Sequence, residues 1–129
     1  MRKELIIVIL IVIFVIVTNI ITQRYTKKSI ETLNSELEEL KEELFSQNIE
    51  NKELEKKMDN IMNSWREKFN NLAYYIEHDE LEKVETELSS LKAHIKVEEY
   101  EEGVNDIERC IYILNHIKEK FRFTFKNIF

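Results

Sequence analysis

The sequence predicts an all-α, membrane-anchored protein, and three observations carry that prediction. The chain of 129 residues holds one glycine and no proline, where average usage would give roughly nine and six. Sheets, hairpins and phosphate-cradling loops use those residues as punctuation, so their scarcity leaves long helices with few reversals. Leu5 to Ile21 is an apolar run broken only by Thr18 and Asn19. Beyond Ile30, apolar residues step by three and four, the period of a helix face. The expected order is an N-terminal transmembrane helix, a long coiled-coil-like helix, then an antiparallel three-helix bundle with an extended aromatic C-terminal tail. The expected boundaries are a short N-terminal tail at 1–4, a signal anchor at 5–23, a juxtamembrane coiled-coil stalk at 24–64, the bundle at 65–120 and the tail at 121–129.

The first helix rests on composition. The run Leu5–Ile21 contains eight Ile, four Val, two Leu and one Phe, all favourable for insertion. Its length just spans a hydrocarbon core of about 30 Å. A cleaved signal peptide would need small residues near the end of the run, and Thr18-Asn19-Ile20-Ile21-Thr22 supplies none. An uncleaved anchor, and therefore the lipid bilayer as a partner, is expected. Without a GxxxG face, the span is not expected to drive tight dimerisation itself. Arg2 and Lys3 precede the run, and Arg24, Lys27 and Lys28 follow it, so the positive-inside count is nearly balanced. A very short leading tail normally stays in the cytoplasm, which places residues 22–129 on the extracytoplasmic side.

The stalk rests on heptads. Ile30, Leu37, Leu44, Asn51, Met58 and Trp65 fall at one core position; Leu33, Leu40, Gln47, Leu54 and Ile61 fall at the other. Five heptads without a slip are the mark of a left-handed coiled coil. Gln47 and Asn51 would form two adjacent polar layers, either fixing register across helices or simply weakening the coil. The predicted interaction seam is Ile30, Leu33, Leu37, Leu40, Leu44, Leu54, Met58, Ile61 and Trp65. Left alone, such a stripe would be exposed, so a homo-oligomer or a membrane-protein partner is expected.

Past Trp65 the apolar face widens through Phe69, Leu72, Ala73, Tyr74, Tyr75 and Ile76, as it does when a helix meets more than one neighbour. Asp79, with Glu82 three residues on, reads as the cap of a new helix. That helix presents Leu81, Val84, Leu88, Leu91 and Ile95; the next presents Val104, Ile107, Ile111, Leu114, Ile117 and Phe121. The predicted bundle core is Leu72, Ile76, Leu81, Val84, Leu88, Leu91, Ile95, Ile107, Ile111 and Leu114. Gly103 is expected to mark the reversal between the last two helices. In the tail, Phe121, Phe123 and Phe125 alternate with polar residues at a strand period. The tail is expected to strap the bundle or to add to a partner's sheet edge.

Charge is unevenly distributed. Residues 1–30 carry five Lys/Arg against one acid, residues 31–116 carry ten against 23, and the last thirteen carry four against one. An acidic body argues against nucleic acid, since phosphate binding needs a basic face. One glycine precludes nucleotide-cradling loops, and one cysteine precludes an intramolecular disulfide. Cys110 reads as a small hydrophobe on the flank of the last helix's seam. His78 with Glu82, and His94 with Glu98, have helical i,i+4 spacing, but two ligands fall short of the three or four a metal site needs. His116 sits near a helix C-terminus, where the dipole favours it. No catalytic residues, metal or cofactor are expected. Trp65 reads as a core anchor; with Phe69, Tyr74 and Tyr112 it would alternatively line a small-molecule pocket.

One resemblance adds to this reading. A short anchor, an acidic helix, Trp65…Leu72…Ile76-Glu77-His78, paired Leu-rich helices, His116-Ile117 and a terminal Asn127-Ile128-Phe129 together resemble a family of small bacterial membrane proteins, the domain of unknown function numbered four-three-six-three. The resemblance spans most of the chain and brings no assigned activity with it. In layout alone, a coil directly after one span is also similar to septum-formation proteins of cell division. The expected role is structural or protein-interacting rather than enzymatic, with small-molecule sensing as the alternative.

Overall fold

The computed structural model describes residues 2–128. Among these, four helices follow one another without a strand: α1 (Arg2–Ser46), α2 (Asn51–Leu72), α3 (His78–Lys96) and α4 (Tyr100–Ile128). Helix α1 has 45 residues and so runs about 68 Å. With no proline to break it, nothing in its sequence interrupts the backbone ladder.

Helix α1 has two halves of opposite character. From Leu5 to Val17 every side chain is exposed, on all faces. The most apolar 18-residue stretch of the helix has a mean hydropathy of 3.2, and none of it is buried. From Thr26 onward the same helix buries one stripe: Thr26, Ser29, Ile30, Leu33, Leu37, Leu40 and Leu44. A helix apolar all round and uncovered is built for a non-aqueous surrounding, whereas a one-sided stripe is built for a core. The first half is a candidate membrane span, the one such helix among the described residues.

The second half packs with the other helices as an up-and-down four-helix bundle. Helix α1 lies against α2 and α4, and α3 lies against α2 and α4, with the diagonal pairs apart. Cross-helix pairs show that neighbours are antiparallel. Along α1 and α4, Glu31 meets Lys118, Asn34 meets Asn115 and Lys41 meets Glu108. Along α2 and α3, Asp59 meets Lys92 and Arg66 meets Glu85.

This arrangement changes the role of the seam. Ile30, Leu33, Leu37, Leu40, Leu44, Leu54, Met58, Ile61 and Trp65 are all buried, within the chain's own core. The stripe expected to meet a second copy or a membrane-protein partner is covered instead by α2 and α4 of the same molecule. The continuous stalk expected at 24–64 is split at residues 47–50. Gln47 adopts a left-handed backbone (φ 52°), and its N–H bonds the Glu43 carbonyl at 3.2 Å, closing α1 with the helix-ending turn usually given to glycine. Gln47 is therefore a turn residue rather than a core layer. Asn51 opens α2, where its side-chain oxygen accepts a bond from the Tyr100 hydroxyl at 2.7 Å, joining the two turns at that end of the bundle.

The other reversals also depart from expectation. Helix α3 starts at His78, one residue ahead of the expected cap, and Asp79 lies in its first turn, where an acid favours the helix dipole. The α3–α4 reversal turns on Glu98 (φ 60°). The Glu99 and Glu98 N–H groups return to the His94 and Ile95 carbonyls at 2.9 and 3.1 Å, the Schellman pattern. Gly103 lies inside α4 instead. A Cβ there would sit 3.4 Å from a Leu44 methyl and 3.5 Å from a Leu91 methyl, so the position faces α1 and α3 with room for a methyl group.

Helix α4 buries Gly103, Asp106, Ile107, Cys110, Leu114 and Ile117. Cys110 thus holds the seam and Ile111 is half-buried on its flank, the reverse of the expected assignment. Helix α4 meets α1 on one side and α3 on the other, and this rotates its buried stripe by one residue. The remaining predicted bundle core, Leu72, Ile76, Leu81, Val84, Leu88, Leu91, Ile95, Ile107 and Leu114, is buried. The tail is helical rather than extended, since α4 continues to Ile128. Its terminal Phe129 lies outside the described residues.

Candidate functional site

The most concentrated chemistry in the bundle is a polar cluster between α3 and α4. Asp106 is fully buried (0% exposed), and a buried carboxylate is stable only when paired and hydrogen-bonded. Three side chains meet it. Ser90 Oγ donates to Oδ1 at 3.0 Å, His94 Nδ1 lies 2.5 Å from Oδ2, and the Arg109 guanidinium donates to Oδ1. Arg109 reaches back through Nε to Glu87 at 3.1 Å. Residues from the last turns of α3 and the early turns of α4 are thereby tied across the hairpin.

The electrostatics follow from that contact. The bond to Asp106 raises the His94 pKa, helped by the Asp106, Glu99 and Glu102 charges and opposed by burial. The other ring nitrogen, Nε2, faces Glu99 at 3.9 Å rather than Glu98, the partner that its spacing suggested. Ser90 addresses the carboxylate, so no hydroxyl nucleophile sits on His94 Nε2. The cluster clamps two helices together and has no activated nucleophile.

The other sequence-selected residues are dispersed. His78 Nε2 pairs with Glu82 at 3.0 Å on an exposed face. No group of three or more His, Cys, Asp or Glu among the described residues converges to hold a metal ion. Cys110 is buried, and burial pushes its thiol up to about 12, so it is not a thiolate at neutral pH. Trp65 is buried and meets Phe69 edge-on at 6.2 Å; Phe69 meets His78 edge-on at 5.3 Å. Tyr74 and Tyr112 are 87% and 74% exposed. The four aromatics therefore do not enclose the small-molecule pocket that the sequence offered as an alternative.

The topology also sorts charge and aromatic residues along the bundle axis. Antiparallel α1 and α4 bring the two basic stretches of the chain to one end. Arg24, Lys27 and Lys28 follow the apolar run on α1, and Lys118, Lys120 and Arg122 stand on α4 beside them. Tyr25 is at this end, hydrogen-bonded to Asn71 at 3.2 Å, and the α2–α3 turn places Tyr74 there. At the opposite end the α1–α2 and α3–α4 turns gather Glu42, Glu50, Glu98, Glu99, Glu101 and Glu102, all exposed. Phe45 and Val97 flank those turns, 68% and 61% exposed. The charge division was legible in sequence, but its polarity along one axis needed the antiparallel pairing.

No curated protein and no solved structure matches the chain. A family model described as a domain of unknown function, DUF4363, matches residues 20–128. The match begins where the apolar run ends, so the bundle is the family's domain. The chain belongs to the DUF4363 family.

Proposed function

We propose that this chain is a single-pass membrane protein that holds a closed helical bundle against the bilayer surface as a non-catalytic interaction module. One observation carries the reading: α1 passes without a break from the uncovered apolar run Leu5–Ile21 into the bundle core at Ile30. Span and bundle therefore move as one rigid piece. The anchor is uncleaved, the N-terminus is cytoplasmic and the bundle is extracytoplasmic. The fitting test is a fusion of compartment-dependent reporters after Phe129, combined with alkaline extraction of membranes. The reading expects a pellet-bound protein with signal only from the extracytoplasmic reporter. Extraction into the soluble fraction refutes the anchor, and signal only from the cytoplasmic reporter refutes the orientation.

Because the leucine seam is enclosed, a second copy or a membrane-protein partner meets the bundle on another surface. The distal tip suits this role. Phe45 and Val97 are large apolar side chains left in water among six exposed glutamates, and an apolar patch rimmed by charge is the usual makeup of a protein contact. Photocrosslinkers at Phe45 and Val97 in the membrane-embedded chain are expected to capture a protein, itself or another. Capture only from sites on the bundle's sides, with none from the tip, speaks against it.

A further inference from the structure

The basic end of the bundle faces the membrane, and a cleft opens there between α1 and α4. It has a volume of about 310 Å³ and is lined by Lys27, Lys118 and Arg122, by Glu31 and Glu119, and by Gln23, Thr26 and Phe121. Lys118 is bound to Glu31 at 3.2 Å. Lys120 is held between Glu77 and Glu80, both at 3.6 Å. Arg24, Lys27, Lys28 and Arg122 form no ion pair with another described residue. Against these four stand Glu119 at the cleft, Asp79 in the first turn of α3, and the one negative charge left over where Glu77 and Glu80 share Lys120. The cleft lining thus carries three basic residues against two acidic ones, a surplus of one positive charge, with Arg24 and Lys28 on the neighbouring turns of α1 adding to it.

Its height is set by helix geometry. Gln23 and Lys27 follow Ile21 by about 3 and 9 Å along α1, and the polar layer of a leaflet is about 5–8 Å deep. Side chains on α1 tilt toward its N-terminus, which is the membrane side, so Lys27 reaches back toward the headgroups. The backbone of Arg122 stands at the level of Lys27, because the pairing of Glu31 with Lys118 sets the two residues opposite each other on antiparallel helices. Ile128 lies as far beyond Lys118 as Ile21 lies before Glu31, so α4 ends level with the apolar run. Tyr25 and Tyr74 stand at this end, as aromatic residues do at membrane interfaces.

We infer that this cleft is a binding site for the phosphate of an anionic phospholipid headgroup, with Lys27, Lys118 and Arg122 as its cationic contacts. The inference rests on the anchoring reading, and holds for a bundle on either face of the bilayer. It gives the bundle a second attachment to the surface, so that the rigid rod stands in a set tilt rather than swinging about its span.

The test uses the full chain in nanodiscs of phosphatidylcholine with a minor fraction of phosphatidylglycerol, followed by native mass spectrometry of the lipids retained. Wild type is expected to retain phosphatidylglycerol over phosphatidylcholine. The variant Lys27→Gln/Lys118→Gln/Arg122→Gln is expected to reduce that preference by at least about tenfold, given about 1 kcal/mol per basic residue at a surface. The charge-matched control Lys52→Gln/Lys56→Gln/Lys96→Gln, far from the cleft, is expected to leave it intact. Equal loss in both variants, no preference in wild type, or displacement of the lipid by inorganic phosphate alone overturns the inference. Failure of the chain to enter nanodiscs overturns the anchoring reading with it, whereas entry without lipid preference overturns this inference only.

Discussion

Replacing Leu37 with alanine measures whether the leucine seam is spent inside one chain. Leu37 is 0% exposed on α1, and α1 packs between α2 and α4. The substitution removes three carbons, a loss of about 2.4 kcal/mol at about 0.8 per buried methylene. Incomplete collapse around the cavity raises the total to about 3–4 kcal/mol. For a bundle of this size that lowers Tm by about 12–25 °C. Trp65 is the single tryptophan and is buried in the same core, so its emission reports bundle unfolding in the intact, detergent-solubilised chain without interference from the span. The same measurement on Ile9→Ala, in the uncovered run, is expected to leave the transition in place. The decisive part is concentration. An intrachain seam makes the Leu37→Ala loss independent of protein concentration, whereas a seam shared between chains would let higher concentration restore stability. A loss under about 1 kcal/mol, or one recovered by concentration, refutes the packing described above.

Three further outcomes follow from the turns and the buried cluster. The bond to Asp106 raises the His94 pKa above its unfolded value, so its stabilising contribution is full below about pH 6.5 and is lost as pH rises through the folded value; Tm against pH should decline across that window in wild type and flatten there in His94→Gln. Glu98 holds a left-handed backbone at φ 60°, and Glu98→Gly should raise stability by about 1 kcal/mol in denaturant titration by removing that strain. Gly103 is inside α4, and a Cβ there meets two leucine methyls at 3.4 and 3.5 Å; because those contacts are tolerable, Gly103→Ala should stabilise by about 0.5–1 kcal/mol through helix propensity, and a loss of stability would mean the helices sit closer than described.

The parts of this fold that were readable from sequence are those governed by periodicity. Leu33, Leu37, Leu54 and Leu88 recur at helical spacing because each helix must bury one face, and burial follows from that spacing alone. The reversals were harder to place because glycine marks none of them. Gln47 and Glu98 take left-handed backbone with ordinary side chains, and the heptad phase of Ile30–Leu44 resumes at Leu54 across a loop of only four residues. A broken helix pair therefore imitates one long coil. Phe121, Phe123 and Phe125 alternate like a strand, yet α4 continues through them to Ile128, since no strand exists among the described residues to pair with. Asp106 was hidden for a different reason. In a chain with 25 acids, one more carboxylate reads as surface, and the Ser90 and His94 side chains that bury it arrive from another helix. Its only local signal is that it lies one turn before Cys110 and three residues after Gly103, on the face that the neighbouring helices cover.

The most direct test of the account is a spin-label accessibility scan along α1 in bilayers, on a Cys110→Ala background. The account predicts oxygen-accessible labels at every position from Leu5 to Val17, then a change near Thr22 to a pattern with protected minima at 30, 33, 37, 40 and 44, in one continuous helical phase. A phase break between Ile21 and Ile30, or water-accessible labels through the apolar run, would contradict a rigid anchor that is continuous with the bundle core.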